Sequence, residues 1–278
     1  MNSKTWRQPY SLIIVATAIN AALYAVGSFT TAYIPSPWGI GQFRPAVVIP
    51  GFFAVIFGPW AGGIGAALGT LIADSIKHGG LYPGSILAAV PGNFIGFFML
   101  GYFLRKKFNW ARFITATNVS LLVANAVVAF LYVFVYKTFY AQASAFTQAT
   151  GDALIALSVG LTIFWFVTML PFVLLLVPPI ISVVTRAFPS IIPPEVRVNG
   201  IKQVPKRLLG ASMLAPGIIM ILIGLTLTYA PLGGYLSTNF AASYLPITTL
   251  SLIQLLLYAG GLALSVLGGI YIVKKSSP

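Results

Sequence analysis

The 278-residue chain has no cysteine, one histidine and only three acidic residues, Asp74, Asp152 and Glu195. Without cysteine there is no disulfide, no haem attachment, no thiol catalysis and no thiolate-held zinc. A single histidine excludes a His-x-x-x-His metal motif, and neither Gly-x-Ser-x-Gly nor a Walker A loop occurs, so any ATP dependence must come from another protein. The three carboxylates lie at the ends of apolar runs or between them, which argues against the intrabundle proton relay of a self-powered symporter. Charge is scarce altogether: 7% of residues are charged and 58% hydrophobic, with a mean hydropathy of +0.94. A soluble domain is roughly one quarter charged, so this composition belongs in a bilayer. No strand-length run of alternating polarity appears, which excludes a barrel.

What the sequence does have is long apolar runs, near 11–34, 40–57, 59–76, 83–104, 113–136, 153–177, 209–230 and 248–273. Each is close to the length that carries a helix across about 30 Å of hydrocarbon. The fold class is therefore all-α, a polytopic membrane protein with eight expected spans and both termini on one side. The first run is longer than a signal-peptide core and has no small-residue cleavage site, so it is expected to stay as a span. A net charge of +13 would suggest nucleic acid in a soluble protein, but the basic residues follow the loops. With the N-terminus inside, all of them except Arg44, Lys77 and Lys137 fall on the inner side, the asymmetry of a cell-membrane protein with cytoplasmic termini. The excess reads first as an orientation signal, with anionic lipid as an alternative partner for part of it. No nucleic-acid partner, cofactor or metal is expected.

Within "RPAVVIPGFFAVIFGPWAGGIGAALGTLIAD", Gly58-Pro59 interrupts the helix, so the run becomes a hairpin that returns Arg44 and Asp74 to one outer rim. The glycines of its second arm, with Gly65 and Gly69 one turn apart, fit close packing or a cavity bordered by bare backbone. Polar and aromatic residues gather at the same end: Trp38, Gln42 and Arg44 before the hairpin, then Asp74, Lys77, His78 and Tyr82. Asn93 enters the next span, and Asn125, Tyr132 and Tyr136 occupy the outer part of the fifth. Together they suit a pocket in which rings stack and a few donors fix orientation. Singly, each aromatic also fits an interfacial belt, Arg44 and Asp74 a structural ion pair, and each asparagine an interhelical hydrogen bond. In the first span, Ala18-xxx-Ala22 and Ala21-xxx-Ala25 smooth a helix face for internal packing or for a second protein.

These elements together resemble the substrate-binding S components of energy-coupling factor (ECF) transporters. The resemblance rests on the alanine-rich "AINAALYA", on "FRPAVVIPGFFAVIFGPWAGGIGAALGTLIAD" and on "VPGNFIGFFMLGY", and covers the first two-thirds of the chain. It implies a six-span unit over 1–184 that captures a vitamin-like small molecule from outside and works with a T component and two ATPase subunits. By the same resemblance, Ala18, Ala22 and Ala25 mark the face toward the T component, and the loop from Trp38 to Gln42 helps close the site. The outer loops carrying Lys77, His78 and Tyr82, and the one between spans five and six, would complete it. A basic, proline-rich linker over 185–207 and a two-span appendix over 208–278 depart from the usual six spans. The alternative is a stand-alone facilitator or channel, whose mark would be a continuous polar path, and spans two, three and six offer few polar side chains at mid-depth. An enzyme would have to be built on Asp74 and His78, four residues apart. The basic groups and rings of the outer end favour a neutral or anionic flat heterocycle.

Overall fold

The computed structural model describes residues 8–31, 33–230 and 247–274. Most of the described residues are helical, and the chain is an all-α polytopic membrane protein. Helix α1 spans Tyr10–Thr31 and α2 Val48–His78, the latter entered through a tight turn at Pro45–Val47. A π-helical stretch, Ser85–Ala89, leads into α3, Val90–Leu104. Helix α4, Trp110–Phe130, continues as a π-helix over Leu131–Tyr140. The short α5, Ser144–Thr147, precedes α6, Gly151–Ala187. The short α7, Pro194–Val198, leads to α8, Lys206–Tyr229, and the last helix is α9, Ile247–Val273.

Seven helices among the described residues are long and apolar enough to cross a membrane, where the sequence suggests eight spans. The difference lies in α2. Gly58 has φ 86° and ψ −172°, a conformation closed to residues with a Cβ, and it folds the helix into two arms. Pro59 then opens the second arm, where its missing N–H costs nothing. The arms lie side by side, since a Cβ on Gly62 would come within 2.6 Å of that of Ala54. From α3, Gly101 closes on the turn so tightly that a Cβ there would lie 2.6 Å from the Pro59 nitrogen. From α1, the buried Asn20 donates to the Ala61 carbonyl at 2.8 Å, tying the second arm to the first helix. The hairpin is thus as expected, but its first arm is not the full span 40–57. Helix begins only at residue 45, and the 13 residues to 57 cover about 20 Å, less than the hydrocarbon thickness. Residues 33–44 instead fold as a loop, pinched by an antiparallel bridge between Pro35 and Gln42.

The core fills the space enclosed by α1, α2, α3, α4 and α6, with Tyr24, Phe97, Phe113, Leu161 and Phe164 fully buried. Helix α6 runs ten residues past its expected end at 177, through Pro178 and Pro179. Prolines are tolerated in membrane helices where neighbouring structure satisfies the freed carbonyls. The segment after α6 is tucked under the bundle. Ile192 and Val196 are buried, and the Trp110 indole N–H donates to the carbonyls of Asn199 at 3.0 Å and Gly200 at 2.9 Å. Helices α8 and α9 form a tight antiparallel pair along facing glycines: a Cβ on Gly217 would lie 2.7 Å from the Gly261 carbonyl oxygen. The pair reaches the core through α8, which rests on α6 and α4 and receives a hydrogen bond from Asn118 Nδ2 to Ser212 Oγ at 3.2 Å.

Candidate functional site

Three structural devices open one cavity at the end of the bundle opposite the Gly58 turn. The hairpin brings Arg44 back to Asp74, with the guanidinium 2.7 Å from the carboxylate and the two side chains 13% and 9% exposed. The π-helical stretch before α3 presents Ser85, whose hydroxyl donates to the second carboxylate oxygen of Asp74 at 2.8 Å. The π-helix continuing α4 turns Tyr132 and Tyr136 toward Tyr82: the Tyr82 and Tyr132 hydroxyls lie 3.1 Å apart, and the Tyr82 and Tyr136 rings meet edge to face.

The cavity holds about 200 Å³ and is lined by Gln42, Arg44, Asp74, His78, Tyr82, Asn93, Asn125 and Tyr132, joined by Trp165 and Met169 of α6. Eight of the ten sequence-nominated pocket residues therefore surround one space. The other two do not line it. Trp38 is buried beneath the 33–44 loop, edge-on to Phe164, and its ring fills the place of a side chain at Gly160. Lys77 is exposed at the end of α2. On α1, Ala18 and Ala22 are exposed, whereas Ala25 is 5% exposed and packs inside the protein, which removes it from the outward face expected for a partner.

The electrostatics are those of a neutral, donor-rich pocket. Burial works to lower the pKa of Arg44, but the Asp74 carboxylate and Tyr24 outweigh it and the net shift is upward, so the guanidinium remains charged. Burial, reinforced by Tyr132 and Tyr136, raises the Tyr82 pKa, which keeps its hydroxyl protonated. His78 Nδ1 lies 2.7 Å from the Asp74 carbonyl, an acceptor, so that nitrogen carries the proton; the imidazole stacks on Tyr82 at 3.7 Å with the rings 3° from parallel. Asp74, with both oxygens taken, and His78, with its proton committed to a carbonyl, do not form an acid–base pair. Several amide groups remain unspent. Among the described residues, Asn125 Nδ2 is buried without a partner, Gln42 makes no side-chain hydrogen bond, and Asn93 donates to the Ala89 carbonyl at 2.9 Å while its Oδ1 accepts none. No group of three or more candidate metal ligands occurs among the described residues.

Trp165 and Met169 were not foreseen. Trp165 lies far from either end of its apolar run, beyond the reach of an interfacial belt, and that position is a signal that it serves something other than the rim. Its ring occupies the place of a side chain at Gly41, so the loop and α6 close the cavity together. Residues 11–177 match the family model described as "ECF-type riboflavin transporter, S component". The chain belongs to that family. It is a substrate-specific, multi-pass membrane subunit of an ECF-type transporter, a binding subunit rather than an enzyme. The match ends in α6, before the linking segment and the α8–α9 pair. Neither the curated proteins nor the solved structures contain a match to the chain.

Proposed function

We propose that this S component captures riboflavin, or a vitamin with a similar flat heterocycle, in the cavity between Arg44, Asp74, Tyr132 and Trp165. The observation that carries the reading is a buried, unpartnered Asn125 amide nitrogen inside an aromatic-walled cavity that lies within the family-matched residues. An unpaired amide is costly in a bilayer unless a guest completes it. The Tyr82 and Trp165 rings supply faces for stacking, while Asn125, Asn93 and Gln42 supply one donor edge and further amide contacts for a heterocycle. Arg44 and Asp74 neutralise each other and hold the mouth in shape. At about 200 Å³ the cavity is smaller than the roughly 300–1,000 Å³ of ordinary ligand pockets. A three-ring guest therefore needs the 33–44 loop to lift from α6, and the loop acts as the closing element.

In the cell membrane, with cytoplasmic termini, the subunit delivers its ligand inward with a T component and two ATPases. The partner face is the outward side of α1 around Ala18 and Ala22. The α8–α9 pair leaves that face open, because it rests on α6 and α4 while α1 rests on α2.

The test is a titration of riboflavin into full-length protein purified from cells grown without it, read by quenching of flavin fluorescence. Saturable quenching near one ligand per chain, weakened roughly 5- to 100-fold by Asn125→Ala as expected for an orphaned buried polar contact, supports the proposal. Affinity unchanged in Asn125→Ala and in Trp165→Ala would place the ligand elsewhere. Protein that emerges from its own membrane without a T component or ATPases, where those are present, would favour a stand-alone facilitator.

A further inference from the structure

At the end opposite the cavity, two basic segments far apart in sequence are fastened into one surface. Arg105, Lys106, Lys107 and Arg112 flank the turn from α3 to α4, and Arg197, Lys202, Lys206 and Arg207 follow the chain from α7 into α8. The Trp110 indole, bonded to the carbonyls of Asn199 and Gly200, and Asn199 Nδ2, which donates to the Phe108 carbonyl at 3.3 Å, hold these segments together. Seven of the eight basic residues are exposed and Lys206 is half-buried. None forms an ion pair among the described residues, and the one acidic residue beside them is Glu195.

Large apolar side chains stand out among these charges: Phe188 is 61% exposed, Val198 72% and Ile201 42%. The surface lies where α3 and α6 end and α4 and α8 begin, which is the level at which membrane helices leave the hydrocarbon. Gln8, just ahead of α1, donates to the carbonyls of Ile56 and Ile191, each at 3.0 Å, and so ties the linking segment to the Gly58 end of the bundle.

We propose that this surface is a binding collar for anionic phospholipids. The basic side chains hold the headgroup phosphates, and Phe188, Val198 and Ile201 enter the boundary between headgroups and acyl chains. Basic residues interspersed with apolar anchors are the chemistry of interfacial attachment. A protein partner fits less well, because protein interfaces are depleted of lysine, and four of these eight basic residues are lysines. Orientation alone requires basic residues somewhere on this side of the membrane; it does not require Trp110 to lock two such segments together. The collar operates whatever the cavity binds.

The experiment is native mass spectrometry of the full chain in a neutral detergent, with equal concentrations of phosphatidylglycerol and phosphatidylcholine of identical acyl chains. The collar predicts preferential retention of phosphatidylglycerol, a preference that falls as ionic strength rises, and a loss of roughly fivefold for each basic residue neutralised. The variants are the triple change Arg105→Gln, Lys106→Gln, Lys107→Gln and the double change Lys202→Gln, Arg207→Gln. If the triple variant fails to fold, the double variant and the salt dependence of the unaltered protein carry the test. Equal retention of the two lipids, or a preference that survives both variants, overturns the proposal. Unchanged lipid retention with loss of a co-purifying protein would make the surface a protein interface instead.

Discussion

Replacing Asp74 by asparagine keeps the size of the side chain and a partner for the Ser85 hydroxyl but removes the charge opposite Arg44. The guanidinium, 13% exposed and 2.7 Å from the carboxylate, would be left without its counter-ion at the rim of the cavity. Two unit charges about 4 Å apart attract by about 4 kcal/mol at the effective dielectric of a partly buried site. Breaking such a pair from one side typically costs about 3–5 kcal/mol, because the surviving charge has nothing to offset its desolvation. Removing both charges with Arg44→Met and Asp74→Leu takes away the desolvation penalty as well, so the double variant should recover most of that loss. The assay is equilibrium unfolding in mixed micelles, comparing the parent, Asp74→Asn, Arg44→Met and the double variant as a cycle. A cost below about 1 kcal/mol for Asp74→Asn, or a double variant as unstable as the sum of the singles, would refute the argument that the pair acts as one buried unit.

Gly58→Ala tests the turn without any clash, since nothing lies within 4 Å of the position a Cβ would take. Its cost is purely that of the backbone at φ 86°, about 1–3 kcal/mol by the same unfolding assay; an unchanged midpoint would mean that the arms turn differently. On α1, tryptophan at Ala22 should leave the isolated subunit intact and reduce recovery of partner subunits, whereas tryptophan at Ala25 should destabilise the subunit itself. Equal destabilisation by the two would remove the distinction between an inner and an outer alanine face.

The sequence made the helices and the hairpin legible because their causes are local. Hydrocarbon thickness sets run length, and Gly58-Pro59 cannot continue a helix. Where several residues shared one end of the expected topology, the cavity was legible too, and Gln42, Arg44, Asp74, Tyr82 and Asn125 do converge. Trp38 escaped this reasoning because a loop tryptophan that lines a pocket and one that pins its loop to a helix look alike in sequence; here Gly160 leaves the room that makes Trp38 a peg. Ala25 is buried with Ala21 while Ala18 and Ala22 are exposed, because two interleaved small-xxx-small pairs face different ways and their spacing alone does not tell which is inward. The π-helical stretches at Ser85–Ala89 and Leu131–Tyr140 have no simple sequence signature, yet they aim Ser85 and Tyr132 into the site.

The two added helices follow a different physical rule from the core. Lipid tails are as apolar as leucine, so a helix gains little in a membrane merely by covering another; close packing and interhelical polar contacts hold it there. Helices α8 and α9 meet this condition with each other, backbone against backbone along Gly210, Gly217, Gly261 and Gly268. They meet it less fully with the core. Asn118 and Ser212 give one interhelical hydrogen bond, and between α6 and the pair lies an apolar cleft of about 300 Å³ lined by Phe43, Phe172, Met220 and Leu264. A loosely seated pair is poorly suited to bracing the cavity but well suited to riding beside it. Phe43 is the place where the two meet, because its ring meets Phe172 edge to face in the cleft while its neighbours Gln42 and Arg44 line the site. If the 33–44 loop lifts to admit a ligand, as proposed above, Phe43 leaves the cleft that it shares with Met220 and Leu264, so the appended pair would bear on the loop rather than on the pocket floor.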